Sequence, residues 1–263
     1  MIELDVFHKY GEEIEKQLRL KSFPLAIKLL RKGEGIAEGA KRPKRDLGFH
    51  LSTCQAFSIS RREGTHLAML KEDMWCFEPV IGYGLARPPK YFLDGYNRFP
   101  ETARTLEAGK NWARAFPHLE YDKYTGIVSA PLTKANFEPD LVMIYCNPAQ
   151  LTQLLIVVNW IDGHDITCRL SGHAACVYSI VPVIQRRQYQ VSSLCIGDRR
   201  RATAQDNELV FTAPKEKIED LVLGLKALAK SGAGLPVKFT VIPEYELEES
   251  YAKIGKMLGM EVK

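Results

Sequence analysis

Leu141-Val142-Met143-Ile144-Tyr145 runs directly into Cys146-Asn147-Pro148-Ala149-Gln150, and this junction decides the fold. Five apolar residues without a polar interruption read as a buried strand. Asparagine followed by proline reads as a helix N-cap and first helical position, which predicts a helix from Pro148 to Trp160. Strand, cap and helix follow one another with no room for a linker.

Working outward, the same alternation recurs. Val6, Phe7, Tyr10, Ile14 and Leu18 are spaced for one helix face, so 4–20 is an amphipathic helix. Pro24 to Leu30 is a second buried strand, Arg31 to Arg45 a glycine-rich basic loop, and a helix covers about Ser52 to Ser60. Strand and turn are expected in Thr65 to Ala86, a helix in Thr102 to Phe116, and a strand in Ile127 to Leu132. Further on, Ala174 to Ile184 is a helix interrupted at Pro182, while Tyr189 to Cys195 and Leu209 to Thr212 are strands. A helix from Lys215 carries Ile218, Leu221, Val222, Leu225 and Leu228 on one face. A strand Val237 to Ile242 and a helix after Pro243 complete the chain. This mixed order predicts an α+β protein, a single domain over 1–263 with helices packed on a mixed sheet.

The two halves share an order of features. Strand 24–30, His50, Cys54, a helix, Arg61-Arg62 and Cys76 are followed in the second half by strand 141–145, His173, Cys176, a helix, Arg186-Arg187 and Cys195. Cys54 and Cys76 are 22 residues apart, and Cys176 and Cys195 are 19 apart. We therefore expect a pseudo-duplication, with related halves over about 22–100 and 139–212, and a C-terminal α-β-α extension over about 213–263. A one-residue slip after the first cysteine departs from strict repetition.

Composition excludes several classes. With 263 residues, 46% of them hydrophobic, and 36 Lys+Arg against 32 Asp+Glu, the chain suits a packed core and is neither disordered nor basic enough to require nucleic acid. No apolar run approaches the roughly 18–20 residues of a bilayer span; the longest, Leu154 to Ile161, is broken by Asn159. Met1 to Asp5 lack the features of a signal peptide, so a cytoplasmic location with reduced cysteines is expected.

Packing alone gives no reason to repeat cysteines in paired contexts. Cys54, Cys76, Cys176 and Cys195 are therefore the candidate ligands of one site. Thiolates select zinc or an iron–sulfur cluster over hard cations. Structural zinc usually draws on closely spaced cysteine pairs, which this chain lacks; clusters often use such pairs too, but four dispersed thiolates at element ends can converge on a cubane, so a 4Fe-4S cluster is the expected cofactor and zinc, or no metal, the alternative. Cys146 and Cys168 read as buried core thiols.

At these residues the chain resembles the domain of unknown function 169 family of archaea and anaerobic bacteria. The resemblance is carried by Thr53-Cys54-Gln55-Ala56 leading into a helix with Arg61 and Gly64, by Tyr145-Cys146-Asn147-Pro148-Ala149-Gln150, by Gly172 to Cys176, and by Ser193-Leu194-Cys195-Ile196-Gly197-Asp198-Arg199. It spans about Leu20 to Leu228. It implies that these motifs act together, in a cytoplasmic protein of an anaerobe. The cluster itself is inferred from residue types.

Gly82-Tyr83-Gly84 begins like a dinucleotide fingerprint, but Arg87 stands at the third glycine and two prolines follow, so a Rossmann site is rejected. Phosphate-binding P-loop, zinc-protease and nucleophile-elbow motifs are absent from the sequence. Gly197-Asp198-Arg199-Arg200-Arg201 suits an anion clamp, with Arg199 pointing inward, and Arg61, Arg62, Arg186 and Arg187 would join it if the halves face one another. Gln55 and Gln150 occupy corresponding helix starts and would orient a ligand through their amides. His50 and His173 read as structural. The expected function is an iron–sulfur protein, an oxidoreductase or a protein acting on an anionic small molecule held by arginines. The alternative is a metal-free or zinc-containing binder of such a molecule. A cysteine nucleophile, Cys176 with His173 or Cys54 with His50, is a third reading. A small anionic ligand or redox partner is expected, without nucleic acid or membrane, and a homodimer is left open.

Overall fold

The computed structural model describes residues 4–237 and 247–260. Its first half contains α1 (Leu4–Leu18), β1 (Leu25–Arg31), α2 (Thr53–Glu63), β2 (Leu67–Leu70), α3 (Phe77–Gly82), α4 (Lys90–Leu93), α5 (Leu106–Ala115) and β3 (Tyr124–Pro131). The second contains β4 (Leu141–Cys146), α6 (Pro148–Asp162), α7 (Ala175–Arg186), β5 (Gln190–Ser193), α8 (Ile196–Arg201), β6 (Leu209–Pro214) and α9 (Ile218–Lys230). A last helix, α10, covers Glu249–Met257. The strand expected at Val237 to Ile242 lies, apart from Val237, outside the described residues.

The six strands form one sheet in the order β2-β3-β1-β4-β6-β5, and every neighbouring pair is antiparallel. The expected mixed sheet is thus corrected to an antiparallel one. The two unbroken apolar runs, β1 and β4, lie side by side at its centre, with Leu25 opposite Met143 and Ile27 opposite Leu141. Helices cover both faces, so both faces of a central strand are dry and polar alternation disappears. Polarity pattern therefore reported burial, and strand direction had to come from pairing.

Successive side chains of a strand point to opposite faces. Leu25, Ile27 and Leu29 pack in the core with Ala56 and Phe57 of α2 and with Val177, Ile180 and Val181 of α7. Ala26 and Leu30 pack with Phe7, Ile14 and Leu18 of α1, Leu154 of α6, and Leu221 and Leu225 of α9. The α+β domain is a three-layer stack.

The sheet reads inward from its two edges as β2-β3-β1 and β5-β6-β4, so each half lays down its inner, outer and middle strand in the same order. This is a statement of topology, not of descent. β3 lies at 124–131, beyond the expected limit near residue 100, because 71–123 intervene between β2 and β3. The segment between β5 and β6 is only 194–208. The longer connection carries a lobe of α3, α4 and α5 on the α2/α7 face. Gly82 allows α3 to sit on α7, since a Cβ there would meet Val177 Cγ1 at 2.5 Å.

Pro182 does not interrupt α7, which continues to Arg186. Proline removes one helical N–H bond, and the surrounding core holds the helix: every residue from Ala175 to Val183 is buried.

Candidate thiol cavity

The start of α2 is set locally. Ser52 is the N-cap, its hydroxyl accepting from the Gln55 N–H at 3.3 Å while Gln55 Oε1 accepts from the Ser52 N–H at 2.9 Å. This reciprocal pair satisfies two otherwise free helix-end donors. It places Cys54 in the first turn. Cys176 takes the same position in α7, two residues after its N-cap Ala174. Ala174 has φ 51° and ψ 45°, a left-handed conformation unusual for alanine, and α7 has no side-chain cap. Cys76 and Cys195 are the N-cap residues of α3 and α8.

All four cysteines line one cavity of about 350 Å³. Cys54 and Cys176 are buried beneath it, whereas Cys76 and Cys195 are half-buried. The thiols come from four helix starts in both halves. Among the described residues, no three His, Cys, Asp or Glu side chains close on one point as they do around a single metal ion.

Burial pushes all four thiols up, so they are protonated at neutral pH without a neighbouring cation. Cys76 is raised to about 12 and Cys195 to about 11, and Cys54 and Cys176 are also raised. The Asp198 carboxylate and the other thiols add to the effect at Cys54 and Cys176. The Cys195 thiol donates to Asp198 Oδ2 at 3.0 Å, and the Ser52 hydroxyl lies 3.0 Å from Cys54 Sγ.

The arginines are redistributed relative to expectation. Arg199 donates to the Gln205 carbonyl at 2.6 Å and pairs with Asp206; it does not line the cavity, whereas Arg200 and Arg201 do. Along α8 successive residues point some 100° apart, so adjacent members of the basic run face different ways. Arg61 lies in the scaffold, 4.0 Å over the Tyr145 ring and doubly bonded to Glu208. Arg62 donates to the Thr203 carbonyl, Arg186 lines a separate depression, and Arg187 pairs with Glu216.

Gln55 stands beside the cavity, where its Oε1 also accepts from Trp75 Nε1 at 2.9 Å. Gln150 is elsewhere, its Nε2 donating to the carbonyls of Leu18 and Arg19. His50 does not line the cavity but His173 does, and burial and then the Arg98 charge hold its pKa below the usual value. Cys146 packs in the core on the other face of the sheet, and Cys168 Sγ accepts from the Val191 N–H.

Sequence reasoning missed Glu78, Asn97 and Arg98, which the lobe brings to the cavity. Glu78 was within reach, two residues after Cys76. Asn97 and Arg98 carry no spacing signal, because tertiary docking alone places their turn against the thiols.

The profile of domain of unknown function 169, described as Uncharacterised ArCR, matches residues 13–224. The uncharacterised protein MJ0308 of Methanocaldococcus jannaschii is 26% identical over 202 residues, covering 75% of this chain and 84% of that protein. No solved structure matches the chain. Among the described residues, no helix is long and apolar enough to cross a membrane.

Proposed function

The chain belongs to the domain of unknown function 169 family, and we propose that it is a cytoplasmic iron–sulfur protein holding a 4Fe-4S cluster through Cys54, Cys76, Cys176 and Cys195. One observation carries this reading: four cysteines from separate elements, far apart in sequence, line a single cavity.

The donor set suits the group. Soft thiolates bind iron–sulfur clusters or zinc. A single ion needs its donors gathered on one point, whereas a cubane takes one thiolate at each of four corners around a larger body, which agrees with thiols distributed about a cavity. Loading must displace thiol protons, because burial keeps the sulfurs neutral until a cation arrives. The positive ends of α2 and α7 favour the thiolates that result, and Arg98, Arg200 and Arg201 offset part of their charge. When bound, such a cluster supplies one-electron transfer or a Lewis-acidic iron. Cys54 and Cys176 are the more deeply buried pair, and Cys76 and Cys195 stand nearer the solvent. Redox chemistry on a small molecule, or electron exchange with a partner, would therefore proceed on the half-buried side.

Anaerobic purification with iron, sulfide and zinc measured on one sample tests this. The expected product is brown, with about four iron and four sulfide per chain. Cys54→Ser and Cys176→Ser are each expected to lose most of that iron; unchanged iron in both variants would overturn the ligand set. A metal-free binder of an anionic small molecule is the second reading. It is favoured by the neutral thiols and their hydrogen bonds, and would prevail if reconstitution leaves no iron.

A further inference from the structure

The lobe formed by residues 77–120 builds one wall of the cavity. The corresponding connection of the second half, between β5 and β6, is only 194–208, so this wall of the cavity is built by residues without a counterpart there.

Arg98, only 9% exposed, is the central charged group of that wall. Its guanidinium lies 3.8 Å from the Trp112 ring centre and one terminal nitrogen donates to Glu78, leaving Nε without a partner. Both amide atoms of Asn97 and the indole nitrogen of Trp112 are also buried without partners. Among the described residues, these three side chains account for four of the eight orphaned buried polar atoms. Buried polar groups are nearly always matched, so orphans concentrated in the Asn97-Arg98 turn and in the Trp112 ring on which it packs, beside a cavity, point to a ligand rather than to packing.

The mouth gives a second, independent sign. Arg200 and Arg201 are exposed, line the cavity and have no ion-pair partner among the described residues. Arg201 lies 4.5 Å from the Trp75 ring centre. Trp75 and Phe77 present half-exposed aromatic surface at the same opening.

We propose that the cavity binds a small planar molecule bearing a carboxylate, with Arg98 as its charge anchor and Trp75 and Phe77 as its apolar wall. A guanidinium fork matches a planar carboxylate, and stacking on Trp112 holds it ready at little entropic cost. Glu78 lowers the net charge there, which favours a single negative charge over a dianion. Neutral His173 faces the same space and adds no competing charge. A cavity of about 350 Å³ is of the size that takes a small aromatic ligand. The inference names the ligand of the proposed cofactor site, but it requires the cavity and not the cluster.

Titration calorimetry on the full chain, with and without reconstituted iron, tests it using benzoate, with benzamide and acetate as comparators. Benzoate is expected to bind about tenfold or more tightly than either comparator, and Arg98→Ala to weaken it about tenfold, with no rescue by Arg98→Lys. Because Arg98→Ala also removes the Trp112 stack, the exposed Arg200→Ala/Arg201→Ala double variant is measured beside it. It is expected to lose several-fold affinity at an unchanged unfolding midpoint. Benzoate binding no tighter than benzamide in either form, or unaltered in both variants, overturns the proposal. A chain that takes no iron but binds benzoate discards the cofactor and keeps this site; one that takes iron and ignores benzoate does the reverse.

Discussion

Helices α2 and α6 begin with the same device and finish on opposite faces of the sheet. Each has a polar N-cap and a glutamine three residues later, bonded reciprocally: Ser52 with Gln55, and Asn147 with Gln150. Each has a cysteine within two residues of the cap. Yet Gln55 and Cys54 stand at the cavity, while Gln150 closes the end of α1 and Cys146 lies in the opposite core. A capping motif determines where a helix starts; the sheet face on which the helix packs determines what the motif's side chains meet.

The largest expected separation between the two faces is in cofactor content. After anaerobic reconstitution, Cys54→Ala is expected to retain little iron and Cys146→Ala to retain the wild-type amount. Equal iron loss in both variants would break the comparison.

Next in size is the support beneath the cavity. Arg61 is 1% exposed, is held by Glu208 on both terminal nitrogens and lies over Tyr145. Arg61→Ala removes both bonds to Glu208 and the buried stack on Tyr145, leaving Glu208 only Arg62 and the Gln205 amide, so it is expected to cost about 3 kcal/mol in urea unfolding. Arg199→Ala, at a partly solvated pair, is expected to cost less than about 1 kcal/mol.

The two glutamines sharpen the contrast at a smaller scale. Gln150→Ala removes one side of a cap and leaves the Leu18 carbonyl without its donor, an expected loss of about 1–3 kcal/mol by thermal unfolding. Gln55→Ala is expected to cost about 1 kcal/mol but to shift tryptophan emission, because Trp75 Nε1 loses its acceptor.

The smallest expected effect is in acid. Burial pushes Glu208 up, but the Arg61 guanidinium and the Gln205 amide outweigh it and hold its pKa below the ordinary value. Between the folded and unfolded pKa values the unfolded chain binds more protons, so this pair's stabilisation is present above the ordinary carboxylate pKa and is lost as pH falls through the lower folded one. Acid titration of unfolding free energy should show Glu208→Gln with a shallower fall below about pH 4 than wild type. An equally steep fall in both would place the acid sensitivity elsewhere.

Much of the cavity was legible because its thiols obey local rules. Cys54 lies inside a capping box, and Cys176 and Cys195 stand at helix starts near glycines in the sequence, so their paired contexts are visible there. Arg98 was not, because its turn has no periodicity and meets the thiols only when the lobe docks. The basic run does not reveal which of Arg199, Arg200 and Arg201 faces inward, because a one-residue change in a helix turns a side chain through about 100°. Gln150 and Gln55 share a local sequence context, but opposite faces of the sheet separate them.

By itself the sequence determined the central strands, the long helices α1, α2, α6, α7 and α9, the two-faced burial of β1 and β4, and the four thiols of interest, but not the short helices α3, α4 and α8. These depend on contacts within a few residues, where apolar spacing and capping chemistry act directly. Only the tertiary structure decided that the sheet is antiparallel, that the strand order matches from its two edges, and that the lobe between β2 and β3 completes the cavity. Those outcomes rest on pairing and docking between distant segments, for which a one-dimensional pattern carries no register.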